Sequence, residues 1–249
     1  MVRLSGARGS IQFRAVSTEW STAGFNTAAD MNKSMRKSVL VVWLLVLLAF
    51  ALSIAVYPQM PELIASHWNA RGEVDGYMSK FWGLFLLPLL LAGLALLLLA
   101  IPRIDPLRAN IDAFRSYYDG FIVVFCLFML LIHLQIILWN SGIEISPNLT
   151  LPIGCGLLFY YIGIMLEHAK RNWFIGIRTP WTLSSDTIWT KTHQRGAKLF
   201  KLAGAIAVLG LFVQAYTYLF IIVPVLFVAV YTIVYSYWVY REELRRGRS

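Results

Sequence analysis

The chain has 249 residues, 58% of them hydrophobic and 14% charged, with a mean hydropathy of +0.64 and a formal net charge of +9. Soluble domains use about 25% charged residues, so a water-soluble fold is excluded because it could not hide this much apolar surface. The basic balance does not indicate a nucleic-acid partner either, since the charges are distributed as an orientation signal for a lipid bilayer.

Residues 1–37 hold Arg3, Arg8 and Arg14 among Ser, Ala and Thr, without an apolar core of signal-peptide length. They read as an extension outside the fold, disordered or preceding a later start at Met31 or Met35. A bilayer crossing needs about 20 mostly apolar residues. Spans are predicted at 38–56, 81–101, 121–139, 151–166, 199–216 and 218–238. The last two come from one apolar run that would make a helix about twice the bilayer core in length, so it must fold back. Gln214, Thr217 and Pro224 are its interruptions, which places the turn between Gln214 and Pro224. The expected fold is an all-α polytopic membrane bundle of about six transmembrane helices with both termini cytoplasmic. A two-helix module with an outer polar loop (38–120) precedes a four-helix region with a cytoplasmic loop (121–249).

Six spans put both termini and the second and fourth loops on one face. That face collects twenty of the 22 Lys and Arg residues, leaving only Arg71 and Lys80 on the other. Such asymmetry assigns the basic face to the cytoplasm.

The outer loop, Tyr57 to Lys80, carries Pro61, His67, Trp68, Gly72, Asp75, Gly76 and Lys80. Pro58 and Pro61 stop the first helix. A short helical turn through 63–68 would lay Ile64 and Trp68 on the membrane surface, four residues apart. Gly72 and the Asp75-Gly76 pair read as turns, and Tyr77, Phe81 and Trp82 as an interfacial aromatic belt. The loop is either an ordered cap on the bundle or a recognition surface for an extracellular ligand. Glu62, His67 and Asp75 lack diagnostic metal spacing, and no metal or cofactor is expected.

The cytoplasmic loop spans Arg171 to Gly196. Thr179-Pro180 demands an extended or turn conformation, and Arg178 with Trp173 and Trp181 forms a basic aromatic cluster at headgroup level. Ser184 or Ser185 is the natural N-cap of a following helix, with Asp186 in its first turn. Trp189, His193, Gly196 and Phe200 share one helical face, with Gly196 allowing close approach of another backbone. This loop reads as an amphipathic anchor or as a docking site for a cytoplasmic partner.

Within the spans, His133 and Gln135 are the polar candidates, either as a functional site or as a neutral histidine bonded to a neighbouring helix. Gly154, Gly156 and Gly163 predict close helix packing, while Pro88 and Pro224 predict kinks or slack. Cys126 and Cys155 fall inside spans and read as small core residues. Asn148 opens an N-x-T sequon too close to a span to be a good glycan acceptor. His168 and His193 flank the cytoplasmic loop with Ser184 and Asp186, but no nucleophile motif surrounds them, so an enzyme is not expected.

The outer-loop residues from Pro61 to Lys80 resemble a module of unknown function that begins many proteins of the SdpI family. Asn172, Gly176, Arg178, Thr179, Pro180, Trp181, Ser184 and Ser185, followed by Trp189, His193 and Gly196, resemble that family's signature. Thr187 replaces an acidic residue expected there, which weakens a capping box. The resemblance covers 38–240. It implies an integral membrane protein giving immunity to a secreted toxic peptide, the sporulation-delaying peptide. It also implies two partners besides the bilayer, the peptide outside and a repressor protein captured inside.

Overall fold

A computed structural model shows residues 19–246, with side chains described from residue 37. The first 18 residues of the N-terminal extension lie outside the described residues, and from Glu19 onward its backbone is the start of the first helix. The long helices are α1 (Glu19–Val56), α2 (Lys80–Ile104), α4 (Arg115–Asn140), α5 (Pro147–His168), α7 (Asp186–Leu209) and α8 (Thr217–Arg246). Two single-turn helices, α3 (Arg108–Asp112) and α6 (Pro180–Ser184), lie in the cytoplasmic loops. Among the described residues, five segments have the length and apolarity to cross a bilayer: Lys37–Gln59, Lys80–Ile104, Arg115–Asn140, Pro147–His168 and Gln214–Arg246. The sixth predicted span, 199–216, is not among them: it falls on the C-terminal half of α7, which begins as a polar helix and packs along α5, and on the turn that follows. The molecule is thus a multi-pass helical membrane protein.

Several sequence expectations are corrected. Leu63–Trp68 is not helical but a strand, β1, paired antiparallel with β2 (Val74–Ser79). Hydrogen bonding in a hairpin satisfies the backbone of a segment that Pro58 and Pro61 keep from continuing α1. Ile64 is consequently fully buried instead of lying on the membrane surface. The Asp75-Gly76 pair lies within β2, with Gly76 opposite His67 at a register irregularity, and the hairpin turn is made by Asn69 to Glu73. The turn between the last two spans comes at 210–216, earlier than expected. Thr217 donates its hydroxyl to Gly210 O at 2.8 Å and fixes this turn. Pro224 lies inside α8, where a bilayer tolerates proline because neighbours can serve the freed carbonyl.

Helices α1, α2 and α4 share a core that includes Val46, Ala49, Leu91, Ala95, Ile122 and Cys126. Helix α4 also packs on α5, joining this group to α5, α7 and α8. Small residues set the α5–α7 separation, as expected at helix interfaces in lipid. A Cβ on Gly204 would lie 2.6 Å from Gly156 O, and one on Gly163 would lie 2.7 Å from Ala197 O. Gly154 instead receives the Leu131 and Phe128 side chains of α4. Gly196 accommodates the Ile177 side chain, not another backbone.

Prolines inside these helices leave carbonyls four residues earlier without an intrahelical donor. Pro88 frees Leu84 O, which accepts from Ser53 Oγ at 2.8 Å. Pro102 frees Leu98 O, which accepts from the Tyr118 hydroxyl at 2.7 Å. Pro152 frees Asn148 O, which at 3.3 Å is the more distant of two carbonyls, with Gly210 O, that share the Thr217 hydroxyl. In each case a hydroxyl from another helix replaces the missing N–H.

Candidate functional site

At the outer end, the hairpin is fastened to the bundle through its main chain. The Asn140 side chain accepts from Ala65 N at 2.8 Å and donates to Ala65 O at 3.0 Å. Trp68 packs edge-on against Trp139 at 5.4 Å. Ile64 fills the space over Gly83, where a Cβ would lie 2.5 Å from Ile64 Cβ. Gly72, at φ +80°, turns the chain against Ser146 and Asn148. Asn148 donates to both Ala70 O and Gln214 O, at 3.1 and 3.0 Å, and ties the hairpin to the 210–216 turn. Its amide is therefore buried and occupied, which closes the sequon to a glycan.

On the exposed side of the hairpin, His67 Nδ1 and Asp75 Oδ1 pair at 2.5 Å. Arg71 Nε and Asn69 Nδ2 both reach Glu73 Oε2 at 2.9 Å and hold its carboxyl below the ordinary range, the Asn69 bond being the larger cause. Lys80 faces Glu62 at 3.5 Å and covers the Tyr57 ring. Among the described residues, no three His, Cys, Asp or Glu side chains gather as metal ligands. Below the His67 end of β1 lies an open groove of about 530 Å³, walled by Trp68, Ile132, Ile136, Leu151, Tyr218 and Ile222.

At the cytoplasmic end, the signature loop is folded inward by its own polar groups. Asn172 has no exposed surface. Its Oδ1 accepts from Phe174 N and Ile175 N, and its Nδ2 donates to Lys170 O and Ile175 O. Thr179 caps α6 reciprocally with Thr182 and meets Ser236 of α8 at 3.0 Å. Ser185 caps α7, and Asp186 pairs with Arg171 at 2.7 Å. His193 Nδ1 donates to Trp189 O at 2.9 Å, while Nε2 accepts from Ile177 N at 3.0 Å. The imidazole is thereby neutral with a fixed tautomer. It stacks on Trp189 at 3.9 Å, and burial pushes its pKa down to about 4. The loop's outward residues are Trp173, Phe174, Arg178, Pro180 and Ser184, with Trp181 half-buried against Tyr237. Arg178 donates to Trp173 O at 2.8 Å, while Trp181 turns towards α8.

The model of the SdpI/YfhL protein family matches residues 168–236, and that of "Domain of unknown function (DUF1648)" matches residues 44–92. A curated protein of Bacillus subtilis (strain 168), "Immunity protein SdpI", is 29% identical over 211 residues, which is 84% of this chain and 98% of that protein. The chain is a membrane protein similar to the SdpI family over most of its length. No solved structure matches the chain.

The two predicted residue groups remain at opposite ends of the bundle. The two intramembrane candidates also have separate structural roles. His133 Nε2 lies 3.0 Å from Ser53 Oγ and 3.2 Å from Ala49 O, joining α4 to α1. Gln135 donates to Ile145 O at 2.5 Å and accepts from Thr150 Oγ1 at 2.9 Å, bracing the 141–146 turn. Sequence reasoning passed over four positioning residues. Asp105 accepts from Leu107 N and Trp173 N, and Asn110 donates to Arg171 O, so the α2–α4 connection templates the signature loop. Asn140 and Asn148 do the same for the hairpin. Polar residues at the ends of apolar runs, as Asp105, Asn140 and Asn148 are, were the available signal, because a helix end next to lipid must satisfy its neighbours' backbone.

Proposed function

We propose that this chain is a membrane immunity protein of the SdpI family that protects its cell from a secreted, membrane-active peptide and acts by binding, without catalysis. The observation carrying this reading is the extent of its likeness to an immunity protein, which spans nearly all of that protein. The geometry supports a binding role in two ways. The outer end is a fastened cap over an apolar groove, and His133 Nε2 and the Gln135 amide within the bundle are spent on helix and turn contacts. The outward Trp173, Phe174, Arg178 and Pro180 supply a surface for a cytoplasmic repressor, the second half of the proposal.

The test is membrane potential, read with a voltage-sensitive dye in a toxin-sensitive host challenged with the sporulation-delaying peptide. Expression of the chain is expected to preserve the potential. Equal collapse with and without the protein, at verified membrane levels, would overturn the immunity reading. The His67→Ala, Trp68→Ala and Arg178→Ala variants then test the two ends. Full protection by all three would remove both ends from the functional site.

A further inference from the structure

We propose that the groove under the hairpin receives an extended apolar peptide segment, entering sideways from the outer leaflet and lying along the groove-facing edge of β1. This rests on the immunity reading and names where its peptide binds. Helices α4 and α8 both pack on α5 but scarcely on each other, so their apolar side chains stand apart as two walls. Ile132 and Ile136 of α4 face the space from one side, and Tyr218 and Ile222 of α8 from the other. Its volume, about 530 Å³, falls within the roughly 300–1,000 Å³ of pockets that bury compact ligands.

Two observations favour a peptide over a lipid chain. The Trp68 indole N–H is buried without an acceptor, and Trp68 forms part of the groove wall. An acyl chain has no acceptor to offer, whereas a peptide carbonyl does once the ring turns on its Trp139 contact. An unpaired donor beside lipid costs several kcal/mol in the extreme, so its satisfaction favours such an occupant. The second observation is the Asn140 amide, which donates to and accepts from Ala65 on the bundle side of β1. That amide stands in for one peptide unit of a third strand. Past Ala65, residues 66–68 of β1 run along the groove, where a peptide can continue the pairing begun by Asn140.

The experiment uses the full chain in lipid nanodiscs with fluorescently labelled sporulation-delaying peptide. A benzoylphenylalanine photocrosslinker replaces Ile222 in the groove or Val230, which is 62% exposed on the membrane face of α8. Crosslinking to the peptide is expected at position 222 and not at 230. Leu151→Trp, which fills the groove, should abolish binding. Trp68→Phe keeps the ring on Trp139 but removes the N–H, and should weaken binding about tenfold, the value of one hydrogen bond. Binding by the wild type with no crosslink at 222 and undiminished affinity in Leu151→Trp would overturn the groove while leaving immunity intact. Crosslinks at 222 to lipid alone would also overturn it. Absence of both wild-type binding and cellular protection would overturn the immunity reading and the groove together.

Discussion

Gly176 and His193 fit each other by subtraction. At φ +109° the glycine has the backbone that an L side chain rarely adopts, and any Cβ there would strike the His193 ring. The absent side chain lets Ile177 N reach His193 Nε2. Gly176→Ala should therefore cost about 1–3 kcal/mol from the backbone alone, with the steric clash in addition. The check is the melting temperature of the detergent-purified variant beside wild type. An unchanged value would mean the loop has another conformation.

His193 makes that end of the protein acid-sensitive. Its folded pKa of about 4 lies below the ordinary value of 6.5, so the unfolded chain binds the proton more readily between those values. Stability from the neutral imidazole is complete above pH 6.5 and is lost as pH falls towards 4, on the order of 3 kcal/mol in all. Thermal unfolding from pH 7.5 to 4.5 should show the loss. His193→Gln, which does not titrate, should flatten that dependence even if it lowers stability throughout.

The Ser53–Leu84 bond invites a double-mutant cycle. Ser53→Ala should cost about 1 kcal/mol, between the small average for interhelical bonds in membranes and the larger penalty for an orphaned carbonyl. Pro88→Ala restores the N–H that Leu84 O lacks, so Ser53→Ala should cost less in that background. Equal costs in both backgrounds would show that Ser53 is valued for its contact with His133 instead.

Close approach of α5 and α7 predicts asymmetric tolerance among glycines. Gly204→Val would drive a side chain into Gly156 O and the Tyr160 backbone and should prevent monodisperse purification. Gly93→Ala, where nothing lies within 4 Å, should be neutral or stabilising by up to about 1 kcal/mol. Size-exclusion profiles and melting temperatures distinguish the two outcomes.

Long apolar runs and charge asymmetry made the bundle legible, because bilayer thickness constrains spans more strongly than local propensity does. The hairpin was not legible. A register irregularity breaks the alternation in 63–68, and Asp75-Gly76 has turn composition while lying in a strand. At the last turn, Gln214 does lie within the turn, but Pro224 was given more weight as a helix breaker than a membrane gives it, whereas Gly210 and Thr217 act through a bond across seven residues. Signature residues were readable as a group, but not their division into buried positioning groups such as Asn172, Thr179 and His193 and outward ones such as Arg178. The start of the loop is held by Asp105 and Asn110, which lie 68 and 61 residues from the Trp173 and Arg171 backbone groups they bind.

The proline carbonyls also bear on how the chain is assembled as it leaves the ribosome. Helix α2 enters the bilayer with Leu84 O and Leu98 O both lacking helical donors; α1, already synthesised, supplies Ser53 for the first. The second waits for Tyr118 in the next span, and Asn148 O of α5 waits for Thr217, almost 70 residues later. In two of the three cases a later span thus completes an earlier one. A chain halted after α2 or α5 would carry a bare carbonyl in or beside lipid, a feature that membrane quality-control proteases could use to tell unfinished copies from finished ones.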